Sequence, residues 1–317
     1  MKPTVSLLRA LALLAPLAIA DGGGISFNPE VKLFEPGQKA IVGWNGEIET
    51  MILSIDVRAT GDTKAIEIVP FPSEPKFEKG DHVSFLYADY LVQAALEKLG
   101  RQENWSRFAG AEDLGGERTL EVPAIQVTTH KRIGPHDITA IKVNDFSQLA
   151  SWLTDFFKAQ GAARELPKGL DKVMNAYLDH GVRHFAIDVM DLSKETRTVD
   201  PIVYTFKTDR LWYPMQISSL YEGESEVTLI TVTERSIKPE TFPAGFAPMK
   251  VTVTQWKKMD KEKKTTEIAL PPIKLEPARA KKLNSKIAEL FGDKETVLSV
   301  WRYKGPLQVD FDVALKP

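Results

Sequence analysis

The stretch ITAIKV (138–143), DFSQLASWLTDFFKAQG (145–161), PKGLDKVMNAYLDHG (167–181) and RHFAIDVM (183–190) decides the fold class. Ile138 to Val143 reads as a strand. Asp145 stands where a helix N-cap belongs, with Gln148 three residues on, the spacing of a capping box. Phe146, Leu149, Leu153, Phe156 and Phe157 then form an apolar stripe at helical spacing, and Gly161 closes it. A second helix follows Pro167, with Leu170, Val173, Met174, Tyr177 and Leu178 on one face and Gly181 as its stop. In Arg183 to Met190, Phe185, Ile187 and Val189 alternate with His184, Ala186 and Asp188, the period of a strand. His184 and Asp188 then share a polar sheet face, about 13 Å apart along the strand, too far for a direct hydrogen bond. Strand–helix–helix–strand predicts two parallel or mixed strands covered by helices on one face.

The flanks of this unit are richer in β-structure. Lys39 to Trp44 and Thr50 to Val57 are strands around an Asn45-Gly46 hairpin turn. Lys64 to Val69 is another, and Pro70, Pro72 and Pro75 keep the next residues extended. Phe85 to Leu99 has helical spacing between an Asp81 cap and Gly100, and 101–118 reads as a loop. Leu120 to Thr129 reads as a strand bent at Pro123. Strands are also expected at 202–206, 215–220 and 226–233, the last two joined by a Tyr221–Glu224 hairpin loop. Val251 to Trp256 and Thr265 to Leu270 bracket a charged tip, Lys257 to Lys264. One last helix starts at Pro277 and ends at Gly292, and 297–303 with 307–313 form a closing hairpin whose Gln308, Asp310 and Asp312 face solvent. The class is α+β with mixed and antiparallel sheets. A body spans 21–240, and a β-rich part with one helix spans 241–317 on the same core.

The N-terminus speaks about location. Lys2 and Arg9 precede the apolar run LALLAPLAIA (11–20), which ends in Ala18-Ile19-Ala20 before Asp21 and three glycines. Charged start, short apolar middle and small-x-small end describe a secretory signal peptide over 1–20, cleaved between Ala20 and Asp21. Ten apolar residues are too few to span a bilayer. Removal takes two cations and no acid, so the net charge moves from −2 to −4. Nothing later approaches a membrane span, so the mature chain is expected in the periplasm, at the cell surface or in the medium.

Composition excludes several chemistries. The 317 residues are 43% hydrophobic and 26% charged, with 41 Lys and Arg against 43 Asp and Glu. That is globular, and it offers no basic excess to a nucleic-acid backbone. Cysteine is absent, which removes thiol nucleophiles, Cys-ligated zinc and disulfides. No nucleophile elbow, His-Glu-x-x-His helix, phosphate loop or dinucleotide fingerprint occurs, so no cofactor is expected and no catalytic residue can be nominated. Residues that could serve a binding site are Trp44, His136, His184, Asp188, Trp212 and Tyr213. The histidines and Asp188 offer polar contacts, and the rings near loops offer stacking faces. The wider set His130, His136, His184, Asp188 and Asp209 would point to a hydrolase if two or more met in a deep pocket. His180 and His184 have a four-residue spacing, but Gly181 breaks the helix a metal pair would need.

Several short segments in a fixed order resemble one family. They are Asp21 to Gly24, QKAIVGWNG (38–46) before ETMILSIDV (49–57), IVPFP (68–72), and IGPHDI (133–138). The helix with Trp152 and Leu153, the Tyr177–Val182–Phe185-Ala186 segment, and WYPMQI (212–217) complete the order. Over roughly 21–235 the chain resembles an exported prokaryotic family known as domain of unknown function 2330. The resemblance implies export and an α+β fold, and it brings no assigned catalytic residues. The sequence thus leads to a non-enzymatic envelope or extracellular module with a protein or polymer partner. Two alternatives stand beside it: an exported hydrolase with carboxylate and histidine groups drawn from distant segments, and metal binding through the histidines.

Overall fold

The computed structural model describes residues 24–316 except 29, 32, 101–124, 163–165, 167, 193–196, 199, 221–223 and 258–261. The signal segment, the 101–118 loop, the first part of the Leu120 strand, most of the Tyr221 loop and the middle of the charged tip lie outside the described residues.

The chain opens with β1 (Gly24–Ser26), β2 (Leu33–Trp44), β3 (Ile48–Ala59), β4 (Thr63–Phe71), β5 (Lys76–Lys79) and α1 (Val83–Gly100). The middle is β6 (Ile125–Ile133), β7 (His136–Val143), α2 (Leu149–Ala159), α3 (Leu170–Asp179) and β8 (His184–Leu192). Then come β9 (Arg197–Thr198), β10 (Ile202–Lys207), β11 (Leu211–Tyr213), β12 (Glu224–Thr233), β13 (Phe246–Pro248), and the hairpin β14 (Lys250–Lys257) with β15 (Glu262–Ala269). The chain closes with β16 (Ile273–Leu275), α4 (Pro277–Leu283), α5 (Ser285–Phe291), β17 (Thr296–Pro306) and β18 (Val313–Leu315).

One sheet runs β1-β4-β8-β7-β6, all antiparallel. The larger sheet runs β13-β17-β12-β2-β3-β10-β5, with β16 on β17 and β9 on β3. Its β12–β2 pair is parallel, so this sheet is mixed. The two sheets stack face to face. Ala40, Val42, Met51, Leu53 and Tyr204 of the larger sheet share a core with residues of the smaller one, and Phe71 packs its ring on Tyr204 and Phe206. The opposite face of the larger sheet carries Ile41, Ile52, Val203 and Val300 against Phe85, Leu91, Leu283 and Ile287 of α1, α4 and α5. The helices α2 and α3 cover the outer face of the smaller sheet, where Tyr177 meets Phe185 edge-on. The architecture is therefore helices, sheet, sheet, helices, and the class is α+β. The region 235–250 adds β13 to the larger sheet, and β17 lies beside β12 in it.

Local departures from the sequence reading follow from hydrogen-bond and strand partners, some near in sequence and some distant. The strands β7 and β8 are antiparallel neighbours. One crossover helix would return the chain to the start of β7. Two helices bring it back to the end of β7, so β8 runs the other way. The hairpin after β2 turns through Gly46 (φ +106°) and Glu47, because Asn45 N–H already bonds Ile48 O. Asn45 contributes its side chain instead, accepting from Glu47 N and Ile48 N. Asp145 caps the turn before α2 through Ser147 N and Oγ, at 2.9 and 2.8 Å.

Residues 216–220 form a 3-10 turn rather than a strand. The N–H groups that open it are bound by side chains from elsewhere, namely Asp312 for Met215 and Gln216 and Tyr177 for Ile217. The last helix is two, broken at Asn284, which is extended (φ −166°) and whose Oδ1 caps α5 through Lys286 N and Ile287 N. The strand β17 has β12 on one edge and β13 and β16 on the other, so 307–313 has no edge to pair with. The chain runs past it, and β18 pairs with β11.

Candidate functional site

Paired residues on neighbouring strands face the same way, so the register of β7 and β8 decides which side chains meet. His136 sits opposite Met190 and Ile138 opposite Asp188, placing His136 diagonally beside Asp188 on the face between the two sheets. His136 Nδ1 bonds Asp188 Oδ2, and Nε2 bonds the carbonyl of Asp200 at 2.8 Å. They are 5% and 1% exposed, so the pair lies in the interior. Burial pulls the imidazole pKa down. The Asp188 hydrogen bond and charge, with the Asp200 carbonyl, outweigh this and leave it above the ordinary value. With an acceptor at each ring nitrogen, the ring is held as an imidazolium. Both nitrogens are spent, so His136 has no lone pair to offer a substrate. Asp200 is held in turn by Lys79, 2.7 Å away, and Gly134, at φ +56°, lets the chain turn beside it into β7.

A cleft of about 380 Å³ opens where the end of α3, the β11–β18 pair and the residues before β18 meet. Leu211 and Tyr213 point into the core from β11, as do Val313 and Leu315 from β18. Alternation turns Trp212 and Ala314, which pair with each other, toward the cleft. Trp212 is 8% exposed, and its Nε1–H has no partner among the described residues. Asp209 and Arg210 form one wall, bonded at 2.8 and 3.1 Å, and Lys316 adds a second cation 2.9 Å from Asp209. Together they hold the Asp209 carboxyl well below the usual carboxylate range. Asp310, Phe311 and Asp312 form the opposite wall. Asp312 Oδ1 accepts from Met215 N (2.7 Å), Gln216 N (2.8 Å) and Tyr177 OH (3.0 Å). Burial raises its pKa, and these bonds and His180 offset the rise in part.

Beneath the cleft lies Glu49, fully buried in β3, whose Oε2 accepts from Trp212 N at 2.6 Å. Burial pushes its pKa well above the carboxylate range, and the Trp212 bond only moderates this. Burial thus favours the protonated form of Glu49, which holds β11 from below.

The family model described as an uncharacterized protein conserved in bacteria, domain of unknown function 2330, matches residues 16–261. The chain belongs to this family. No curated protein matches it by sequence. Among solved structures, baculovirus P35 is similar at 10% identity and a TM-score of 0.45, covering 92% of this chain and 99% of that one. A second likeness, titled as the caspase-8/P35 complex, has 7% identity and a TM-score of 0.43, covering 89% and 96%. Likeness of this degree carries no function from one protein to another. The family's matched span holds Tyr177, Asp209, Arg210 and Trp212, whereas Asp310, Phe311, Asp312 and Ala314 follow it.

The remaining sequence candidates are placed apart. Trp44 is half-buried and braces the chain before β11 by donating Nε1–H to Thr208 O at 3.1 Å. Tyr213 is buried, and its hydroxyl donates to Gln38 Oε1 at 2.7 Å. His184 is half-buried with Nδ1 unbonded among the described residues. Burial and Lys142 lower its pKa, so it is neutral. It shares the Asp188 face without reaching Asp188, because Ala186 lies between them. The face expected to be polar is the packed interface between sheets. His130 meets Asp137 at 2.5 Å on the exposed β6–β7 hairpin. Among the described residues no three of His, Cys, Asp and Glu gather as a metal would require, and no helix is long and apolar enough to cross a membrane. Of the residues that line the cleft, sequence reasoning singles out Trp212 and Asp209. It missed Asp312 and Tyr177, whose only signal was a polar residue two positions from Asp310 and a tyrosine in an apolar stripe.

Proposed function

We propose that the chain is exported by its cleaved N-terminal segment and acts in the envelope or outside the cell as a non-enzymatic binding module, with the 380 Å³ cleft as its site. The observation that carries this reading is the division of labour among the polar groups. His136 and Asp188, the pair best suited to acid–base work, are buried with both ring nitrogens occupied. The groups with unspent capacity instead converge on a concave surface beside aromatic rings, the usual form of a binding pocket. Membership of an uncharacterized bacterial family is compatible with this and adds no activity. The test has two arms. Protein recovered from its bacterium should begin at Asp21 and lie outside the cytosol. Ala314→Trp, which fills the exposed mouth opposite Trp212, should abolish partner crosslinks formed from a photoreactive group at Gln216. A cytosolic chain retaining Met1, or crosslinks indifferent to Ala314→Trp, would overturn the reading.

A further inference from the structure

The cleft's unspent hydrogen-bonding groups are of both kinds. All three bonds to Asp312 go to Oδ1, so Oδ2 remains as an acceptor, and the exposed carboxylate of Asp310 stands two residues away. His180 Nδ1 bonds the Ala176 carbonyl at 2.8 Å. A carbonyl only accepts, so Nδ1 carries the proton. On the donor side, Arg210 spends Nε and Nη2 on Asp209 and retains Nη1. Phe311 lies half-buried between the two acids and supplies an apolar face.

We propose that the cleft binds a saccharide, its hydroxyls donating to Asp310 and Asp312 and accepting from Arg210, with a ring face against Phe311. This rests on the cleft being the binding site. An ammonium ligand fits less well, because it cannot accept from Arg210, and the Asp209 charge is already answered by Arg210 and Lys316. A hydroxyl both donates and accepts at one atom, and adjacent hydroxyls match the paired oxygens of a carboxylate. A peptide also donates and accepts, but from separate groups spaced along an extended edge. The cleft offers carboxylates from a non-strand segment instead of a free ladder.

The test is calorimetric titration of the full chain with four neutral tetrasaccharides, built of glucose, mannose, galactose and N-acetylglucosamine units, and with an end-capped tetra-alanine peptide. At least one saccharide should bind. Asp310→Asn with Asp312→Asn should weaken it tenfold or more, while their unfolding midpoints show that the fold is kept. No binding by any of the four, or binding unchanged in the double variant, overturns the inference. Binding of the peptide alone overturns it too while leaving the cleft as the site. The crosslinking arm above decides the cleft itself, so the two failures are distinguishable.

Discussion

The Tyr177 hydroxyl bridges two segments that lie far apart in sequence: it donates to Asp312 Oδ1 at 3.0 Å and accepts from Ile217 N at 3.0 Å. Asp312 completes the bridge by accepting from Met215 N and Gln216 N. One carboxylate oxygen thus fastens α3, the 3-10 turn and the segment leading to β18. Together they form the floor and one wall of the cleft.

Removing this anchor exposes its worth. Asp312→Ala leaves two backbone donors and a hydroxyl without their acceptor, an expected loss of about 2–4 kcal/mol. Asp312→Asn keeps an oxygen in place and should cost about 1 kcal/mol or less. Urea unfolding of the two variants checks the contrast, and equal losses would show that the oxygen is not the anchor.

The His136–Asp188 pair predicts a pH dependence with a definite sign. Its imidazole pKa is raised in the folded state, so the stability it contributes is complete below about 6.5, the value of an unfolded histidine, and is lost as pH rises through the folded value. Asp188→Ala leaves the buried ring without its counter-charge and should cost about 3–5 kcal/mol near pH 6. Asp188→Asn should flatten the fall in stability above neutrality. Denaturation curves taken from about one unit below the ordinary histidine value of about 6.5 to about two units above it should show this difference in slope.

Glu49 acts in the same direction through different chemistry. Its folded pKa lies above its unfolded one, so folding favours the protonated acid, and stability falls as pH rises through the folded value. Glu49→Gln keeps an oxygen for Trp212 N and cannot ionise. It should change stability by about 1 kcal/mol or less below about pH 4.3, the unfolded carboxyl value, and hold it better than the parent as pH rises above that. A steeper alkaline loss in the variant would sink this account.

Asn284 explains why the last helix is two. Its Oδ1 takes the first N–H groups of α5 and its Nδ2 donates to Ser84 Oγ at 3.2 Å, tying α5 to α1. Asn284→Ala should cost about 1–2 kcal/mol, with Asn284→Ser recovering part of it through the cap. Thermal unfolding of both variants reads this directly.

The legible parts of the fold were those whose signals are local. The stripe from Leu149 to Phe157, the stripe from Leu170 to Tyr177, and the alternation at Phe185, Ile187 and Val189 each need only a few residues to declare a helix or a strand. Glycine stops behaved likewise, since Gly161 and Gly181 adopt positive φ just beyond their helices. The site was less legible. Trp212 stood out as a ring near a loop, yet Asp312 read as solvent-facing because alternation was carried through a segment that is not a strand.

By itself, then, the sequence determined the α+β class, most element positions and the exclusion of thiol chemistry, because periodicity, caps and composition act over a turn or two of chain. Only the tertiary structure decided that β8 runs against β7, that His136 rather than His184 takes Asp188, and that Tyr177 and Asp312 frame a cleft with Trp212. Those outcomes depend on strand register and on which edges are already filled. Both are settled by burying apolar faces that are brought together from distant parts of the chain.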